Sequence, residues 1–339
     1  MMKPRVKLKV GVIGLGGQAL GDHIPAIQES MDVELSGVVD INRKKVQDFL
    51  KENKKVKGYN NFDDFLKEQK PDFIVLAVPH CLHCQITIKA IKNKIHVLKE
   101  KPFATSIKEV QKIKELADKN NTVVMVTLQR RFNPIYSTFL QLIDKIGNPF
   151  YIEGKYTFFT DKPYEGWRGK KELAGGGCLI DMGYHIIDLL IWYFGLPDNV
   201  FAQTSHRAKE NIDYNTEDTA RVMFKYQEKN LWGSLLVSRV IPPKQEYLSV
   251  YGTRGSIHLE RGKIERYTPD GKMQESLQRE NSWPSAAQDQ IEYFVKVIHK
   301  EKENISSPEF HLNHLAFIEA AYKSKEKHQY INPKEFLVL

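Results

Sequence analysis

Three groups of residues have the types and spacing to do chemistry. The first is Gly14, Gly16 and Ala19, a G-x-G-x-x-A pattern in Val10-Gly11-Val12-Ile13-Gly14-Leu15-Gly16-Gly17-Gln18-Ala19. In such a turn the first glycine permits a tight bend, the second admits a pyrophosphate to the backbone, and a small third residue lets a helix pack on the strand. The N–H groups and dipole at the start of that helix then face the phosphates. Asp40 ends the next apolar run, Val38-Val39-Asp40. An acidic side chain at this spacing accepts hydrogen bonds from an adenosine ribose diol and repels a 2′-phosphate, which favours NAD. Arg43 points the other way, because a guanidinium pairs with that phosphate, and NADP stays open as the alternative.

The second group is centred on Lys101, in Val97-Leu98-Lys99-Glu100-Lys101-Pro102. The proline forces a turn where an apolar strand leaves its sheet, and ligands of doubly wound domains bind at that carboxyl edge. The third lies in the stretch from Gly175-Gly176-Gly177 to Phe194, a helix that is apolar nearly all round and is stopped by Gly195 and Pro197. Asp181 and His185 are four apart and share one face of it. Burying both is costly unless they bond to each other or to a ligand, and a purely structural pair explains them equally well. A fourth cluster, His80-Cys81-Leu82-His83-Cys84, offers four ligand-type side chains but lacks a second pair at zinc-finger spacing. No metal is expected there; its place after a strand suits contacts with the nicotinamide half of a cofactor.

The elements that must position these residues follow from periodicity. Lys9-Ile13, Glu34-Val39, Phe73-Ala77, His96-Leu98 and Val123-Val126 read as strands, and Lys44-Leu50, Phe62-Lys67, Cys84-Ile91 and Ile107-Ala117 as helices between them. This alternation predicts an α/β fold beginning with a doubly wound parallel sheet. Beyond about Arg130 the pattern changes to β-branched and aromatic runs: Tyr151-Phe159, Ala220-Tyr226, Leu231-Val240 and Tyr247-Tyr251. With helices at Gly177-Phe194 and Asn313-Lys325, these predict an α+β domain on a large, mostly antiparallel open sheet. The expected division is 1–129 and 130–339.

At 339 residues, with 41% hydrophobic and 27% charged residues, the chain has the size and composition of two compact domains. The net charge of +8 is spread over scattered lysines such as Lys44-Lys45, Lys54-Lys55 and Lys170-Lys171. No stripe of arginines and aromatics accompanies it, so a nucleic-acid partner is not expected. No run approaches the roughly 20 apolar residues that span a bilayer, and Met1-Lys9 lacks a signal-type apolar stretch. Cys81, Cys84 and Cys178 make no disulfide framework, which suits the cytoplasm.

Taken together, the Gly14-x-Gly16 loop, Glu100-Lys101-Pro102, and Gly175-Gly176-Gly177 followed by Asp181, His185 and Asp188 resemble the glucose-fructose oxidoreductase/inositol dehydrogenase/MocA family. Supporting segments occur in the same order: Pro79 with His83, Arg131-Phe132-Asn133-Pro134, Trp167-Arg168, Glu217-Asp218-Thr219-Ala220 and Gly252-x-x-Gly255-Ser256. One departure is Lys92-Asn93-Lys94, where the family usually has Ala-Gly-Lys. The resemblance implies an N-terminal Rossmann domain and a C-terminal domain whose open sheet mediates dimers or tetramers. It also implies an NAD(P)-dependent oxidoreductase acting on a CH–OH or carbonyl carbon of a sugar or cyclitol. By the same resemblance Lys101, Asp181 and His185 surround the reacting carbon. The cofactor set is then Gly14, Gly16, Gly17, Gln18, Ala19, Asp40, Asn42, Arg43, Pro79, His83, Glu100 and Lys101. Tyr164, Trp167 and Arg168 join the catalytic three as the substrate set, an aromatic face stacking on a sugar ring and an arginine holding a phosphate or carboxylate. Two other readings remain: a non-catalytic NAD(P)-responsive regulator on the same fold, and a reductase of a non-sugar carbonyl or unsaturated centre.

Overall fold

The computed structural model describes residues 6–206, 214–279 and 283–337; of the opening segment, Met1-Arg5 lie outside the described residues. The chain divides into two compact units: Met1–Ala104, Lys108–Phe132 and Ser282–Phe310 form one, and Thr105–Ile107, Asn133–Asn281 and His311–Leu339 the other.

The first unit is built on six parallel strands: β1 (Leu8–Ile13), β2 (Val33–Val39), β3 (Lys57–Tyr59), β4 (Phe73–Leu76), β5 (His96–Lys99) and β6 (Val124–Val126). Their order is β3-β2-β1-β4-β5-β6. β4 is completely buried because helices cover both faces, which is why it reads as an unbroken Phe-Ile-Val-Leu run. The strand order reverses between β1 and β4, and the glycine turn after β1 opens at that switch point.

The second unit carries eight strands: β7 (Pro149–Phe159), β8 (Asn199–Ser205), β9 (Thr219–Tyr226), β10 (Leu231–Ser238), β11 (Val240–Gly252), β12 (Gly255–Glu260), β13 (Lys263–Tyr267) and β14 (Met273–Gln278). They lie in the order β14-β13-β12-β11-β7-β10-β9-β8. All pairs are antiparallel except β7 with β10. The helix Gly183–Phe194 rides close on this sheet: a methyl group built on Gly154 of β7 would come within 2.8 Å of Ile186 and 2.5 Å of Leu235. On β7, β10 and β11, the cross-strand partners Tyr151, Trp232 and Tyr251 form a row of aromatic rings, with centroids 4.7 and 5.9 Å apart. Trp232 is 49% and Tyr251 37% exposed.

Two expectations are corrected. The helix expected over Gly177-Phe194 is broken at Met182 into Cys178–Asp181 and Gly183–Phe194. The segment Lys171–Asp181 is bent by 53° from Gly183–Phe194. Just after the break Gly183 packs against β10, where an added methyl would lie 3.3 Å from Val237. The chain also does not divide once near 130. The helix Trp283–Ile298 returns to the first unit, placing Ala287, Ile291, Phe294 and Val295 in the core with Val10, Phe73 and Leu98. Among the described residues no single helix is long and apolar enough to cross a membrane.

Candidate active site

In the first unit the glycine turn has the conformation that its residue types demand. Gly14 sits at φ +95°, and a Cβ there would fall 2.2 Å from the Ala77 carbonyl oxygen, so no other residue fits. Gly16 and Gly17 meet nothing within 4 Å of where a side chain would start. The backbone there is open to a phosphate group. Ala19 is fully buried at the start of the following helix, whose first five residues, Ala19–His23, form a π-helical turn. Gln18 hydrogen-bonds Asp22, which also accepts from Gln129 at 3.2 Å.

Asp40 is held against this turn. Its Oδ2 accepts from the Leu15 N–H and its Oδ1 from the Asn42 N–H, both at 2.8 Å. Asn42 caps the helix Arg43–Glu52, accepting from the Lys44 and Lys45 N–H groups. Arg43 is exposed in its first turn. The open glycines and the fixed carboxylate fit the pyrophosphate and ribose of a dinucleotide.

At the carboxyl edge of β4 and β5, the buried His83 and Lys99 and the partly buried Glu100 brace the turn that carries Lys101. His83 is 1% exposed, and its ring nitrogens lie 3.1 Å from the Pro102 carbonyl oxygen and 2.9 Å from that of Val78. Burial first, then the charges of Lys99 and His80, push its pKa well below the ordinary value. The neutral ring therefore donates to one of the two carbonyls at a time. Lys99, fully buried, donates from Nζ to the Phe103 carbonyl oxygen at 2.5 Å and lies 4.8 Å above the Phe103 ring. Glu100 meets His23 Nε2 at 2.8 Å. Burial works against the Glu100 charge, but the His23 hydrogen bond and the His23 and Lys101 charges hold its pKa below the usual range. Lys101 and Pro79 are half-buried at this edge. Among the described residues no three His, Cys, Asp or Glu side chains converge as a metal site.

In the second unit, Asp181 and His185 stand on either side of the helix break. From Cys178 to Ile191 they are the only residues that are not buried. Arg168 Nε donates to Asp181 Oδ2 at 2.9 Å, and its guanidinium lies 4.3 Å from the centre of the Trp167 ring. The His185 ring is 6.3 Å from that of Tyr156 on β7. Asp188 belongs instead to the core, where its carboxylate bonds His314 Nε2 at 2.9 Å and both side chains are at most 1% exposed. Tyr164 packs its ring 5.9 Å from Tyr214.

Glu217 and Tyr322 explain two of the three glycines, Gly177 and Gly176. The Glu217 carboxylate accepts from the Gly177 N–H at 2.8 Å, the Leu179 N–H at 3.0 Å and the Tyr322 hydroxyl at 2.9 Å, capping the short helix that ends in Asp181. A Cβ on Gly177 would overlap the Glu217 backbone at 2.0 Å, and one on Gly176 the Tyr322 hydroxyl at 2.0 Å. Burial raises the Glu217 pKa, against the pull of these hydrogen bonds. Beside it, Asp218 bonds Arg239 Nε at 3.0 Å, both buried, and Arg239 Nη2 donates to Thr216 Oγ1 at 2.8 Å. Thr216 Oγ1 in turn donates to the Arg168 carbonyl oxygen at 2.8 Å. The loop bearing Arg168 is thus anchored to a buried ion pair.

The descriptions "Oxidoreductase family, NAD-binding Rossmann fold" and "Oxidoreductase family, C-terminal alpha/beta domain", both of the GFO_IDH_MocA family, match residues 8–128 and 141–332. The chain belongs to the glucose-fructose oxidoreductase/inositol dehydrogenase/MocA family. Glucose-6-phosphate 3-dehydrogenase of Bacillus subtilis is 29% identical over 225 residues, which are 63% of this chain and 61% of that protein. The scyllo-inositol 2-dehydrogenase (NADP(+)) of the same organism is 25% identical over 215 residues, 61% of this chain and 58% of that one. The WlbA dehydrogenase of Bordetella pertussis, solved in complex with NADH and UDP-GlcNAcA, shares the fold with a TM-score of 0.81 at 22% identity, covering 96% of this chain and 99% of that one.

As a member of this family the chain is an NAD(P)-binding oxidoreductase. Thr216, Glu217, Asp218 and Arg239 carry the loop and helix of its second unit, and sequence reading gave none of them a role. The adjacent acids Glu217-Asp218 beside an apolar strand were the available signal. Thr216→Val removes the hydroxyl that joins Arg239 to the Arg168 carbonyl. It is expected to cost about 1–3 kcal/mol in denaturant unfolding, since the buried guanidinium loses an acceptor.

Proposed function

We propose that this oxidoreductase moves hydride between nicotinamide and a hydroxyl-bearing or carbonyl carbon of a sugar, sugar derivative or cyclitol. The observation that supports it is the exposure pattern: an otherwise buried helical run surfaces only at Asp181 and His185. A core pair would be buried with its neighbours. Two polar groups that reach the surface of an apolar run suit a polyol, whose neighbouring hydroxyls need neighbouring partners.

The bound nicotinamide supplies or accepts the hydride. Everything else falls to the protein. An alcohol holds its proton far above neutral pH, so a base must take it as the carbon is oxidised, and an imidazole is the side chain suited to that range. His185 takes this role. Lys101 donates a hydrogen bond to the same oxygen and stabilises the negative charge that develops on it. Asp181 accepts from an adjacent hydroxyl of the substrate, its Oδ2 being already oriented by Arg168. In reduction His185 or Lys101 returns the proton. Trp167 and Tyr164 offer faces to the ring of the substrate, and Arg168 a charge for a phosphate or carboxylate on it. Glucose-6-phosphate and inositol, the substrates named for two relatives, belong to this class. A panel of polyols, sugar phosphates and sugar acids, followed by absorbance of the reduced nicotinamide, tests the reading. Tight NAD binding with no turnover across the panel overturns it.

Asp40 supports NAD over NADP, because both its oxygens are fixed beside the glycine turn and carry the charge that a 2′-phosphate would meet. Asp40→Asn keeps an acceptor and removes the charge. The ratio of kcat/KM for NADP to that for NAD is expected to rise about 10-fold, or 1.4 kcal/mol. An unchanged ratio would place the preference with Arg43. The aromatic row Tyr151, Trp232 and Tyr251 supports a homodimer or homotetramer formed through the open sheet.

A further inference from the structure

The second unit buries a group of polar side chains that takes no direct part in the proposed hydride transfer. Tyr184 and Asp188 lie four apart on the helix Gly183–Phe194, and His311 and His314 three apart on the helix Pro308–Lys327. None of the four is more than 1% exposed. The Tyr184 hydroxyl hydrogen-bonds His311 Nδ1 at 2.7 Å, and His314 Nε2 donates to Asp188 Oδ1 at 2.9 Å. The Tyr184 ring stacks on both imidazoles, 5.7 Å from His311 and 5.1 Å from His314 between centres, and the two imidazoles are 4.8 Å apart.

Apolar packing alone would join these helices at lower cost, because a buried carboxylate is expensive wherever it lacks its partner. What directional bonds add is register. Toward the sheet the helix Gly183–Phe194 makes apolar contacts, Gly183 at Val237 and Ile186 at Gly154, and contacts of this kind tolerate a small slide or roll. The polar side does not. A shift of one residue along either helix strands the Asp188 carboxylate and breaks the Tyr184 bond in the same movement. His185 stands between the two bonded residues in sequence, and the 3.6-residue repeat places it about 60° around the helix from Asp188. It is half-buried, where Tyr184, Ile186, Ile187 and Asp188 are buried.

We propose that Tyr184, Asp188, His311 and His314 are positioning residues for His185, their two hydrogen bonds fixing the rotation and axial position of the helix at the turn from which that imidazole meets the substrate hydroxyl. The proposal rests on the reading of His185 as the proton acceptor. None of the four touches the reacting atoms; they act through the place they give the ring. A proton acceptor must stand within hydrogen-bond reach of the proton it takes, and a displacement of about 1 Å is enough to cost about 100-fold in rate. Cofactor affinity, set by the glycine turn of the first unit, does not depend on that placement.

The test uses the full-length protein with NAD and the most active member of the polyol, sugar-phosphate and sugar-acid panel, together with NMR of the histidine rings, which needs no substrate. His314→Leu is expected to lower kcat about 100-fold and Tyr184→Phe, which deletes one oxygen, about 10-fold, both with KM for NAD unchanged. His314→Gln, whose amide nitrogen takes the place of Nε2, is expected to return kcat to within about 3-fold of wild type. The His185 ring signals, identified by their loss in His185→Ala, are expected to move in His314→Leu and Tyr184→Phe and to return in His314→Gln. Those of His258, bonded to Ser249 and Glu260 on the sheet, are expected to stay in place throughout. In the His185→Ala background Tyr184→Phe is expected to change kcat by less than about 2-fold, because the ring it places is gone. Wild-type kcat or unmoved His185 signals in both His314→Leu and Tyr184→Phe overturn the proposal and leave His185 its role, as does a full additive loss in the His185→Ala background. Full turnover by His185→Ala overturns the reading of His185, and the proposal with it. If His314→Leu does not fold, Tyr184→Phe decides.

Discussion

Replacing Lys101 or His185 by alanine is expected to lower kcat by about 100- to 10,000-fold, the usual loss when a general acid or base is removed. The two variants should differ in character. On the proposed roles, His185→Ala removes the proton acceptor, so the limb of the kcat/KM–pH profile that reports the general base is expected to disappear. On the same roles, Lys101→Ala leaves that limb in place and lowers the whole profile, because it removes a hydrogen bond to the oxygen on which charge develops. If both serve one proton transfer, the double variant is no slower than the product of the single effects and is expected to fall well short of it. NAD binding, followed by quenching of tryptophan fluorescence, checks that each variant is folded. Nearly full turnover by both single variants on the true substrate removes the assignment.

Lys99→Met is expected to make the protein more stable at neutral pH, by on the order of 3–5 kcal/mol, and to flatten its stability above neutrality. The amine is fully buried and its pKa is lowered to about 7 from the ordinary lysine value of 10.5, chiefly by burial, with Cys84 and Glu109 pulling the other way. His83 adds a buried neighbour on the same edge, itself depressed in part by the Lys99 charge. Between pH 7 and 10.5 the unfolded chain holds a proton that the folded chain releases, so stability rises with pH through that window. At about 1.36 kcal/mol per pKa unit the rise approaches 5 kcal/mol, and methionine, which buries a similar volume without charge, has no such rise. Urea unfolding of both proteins at pH 7, 8.5 and 10 measures it. Equal differences at all three values would show that Lys99 does not titrate in that window.

How much of this was legible depended on whether the cause was local. The strands of the first sheet were read because apolar runs such as Phe73-Ile74-Val75-Leu76 have no other place than a covered sheet. β3 was not read, because Lys57-Gly58-Tyr59 is too short and polar to show a period. The glycine turn and Asp40 were legible from spacing alone, since the backbone itself requires those residue types. The break at Met182 was invisible, because the apolar pattern continues through it, and the strand that Gly183 packs against carries Val237, more than fifty residues further on. Lys99 reads as a surface lysine at the end of a strand, and only the packing of β5 between β4 and β6 buries it. Likewise the partners of Asp181 lay outside any local pattern. Arg168 reaches it from a loop, and that loop is held by Thr216 and Arg239, which no helical or strand period connects to it.

The return of the helix Trp283–Ile298 to the first unit sets the order of assembly during synthesis. When the sixth strand of the nucleotide-binding half leaves the ribosome, the apolar surface around Val10, Phe73 and Leu98 still lacks Ala287, Ile291 and Phe294. That surface stays uncovered while about 150 further residues are made, roughly ten to thirty seconds at ordinary elongation rates. An isolated fragment ending near residue 132 would expose the same surface permanently.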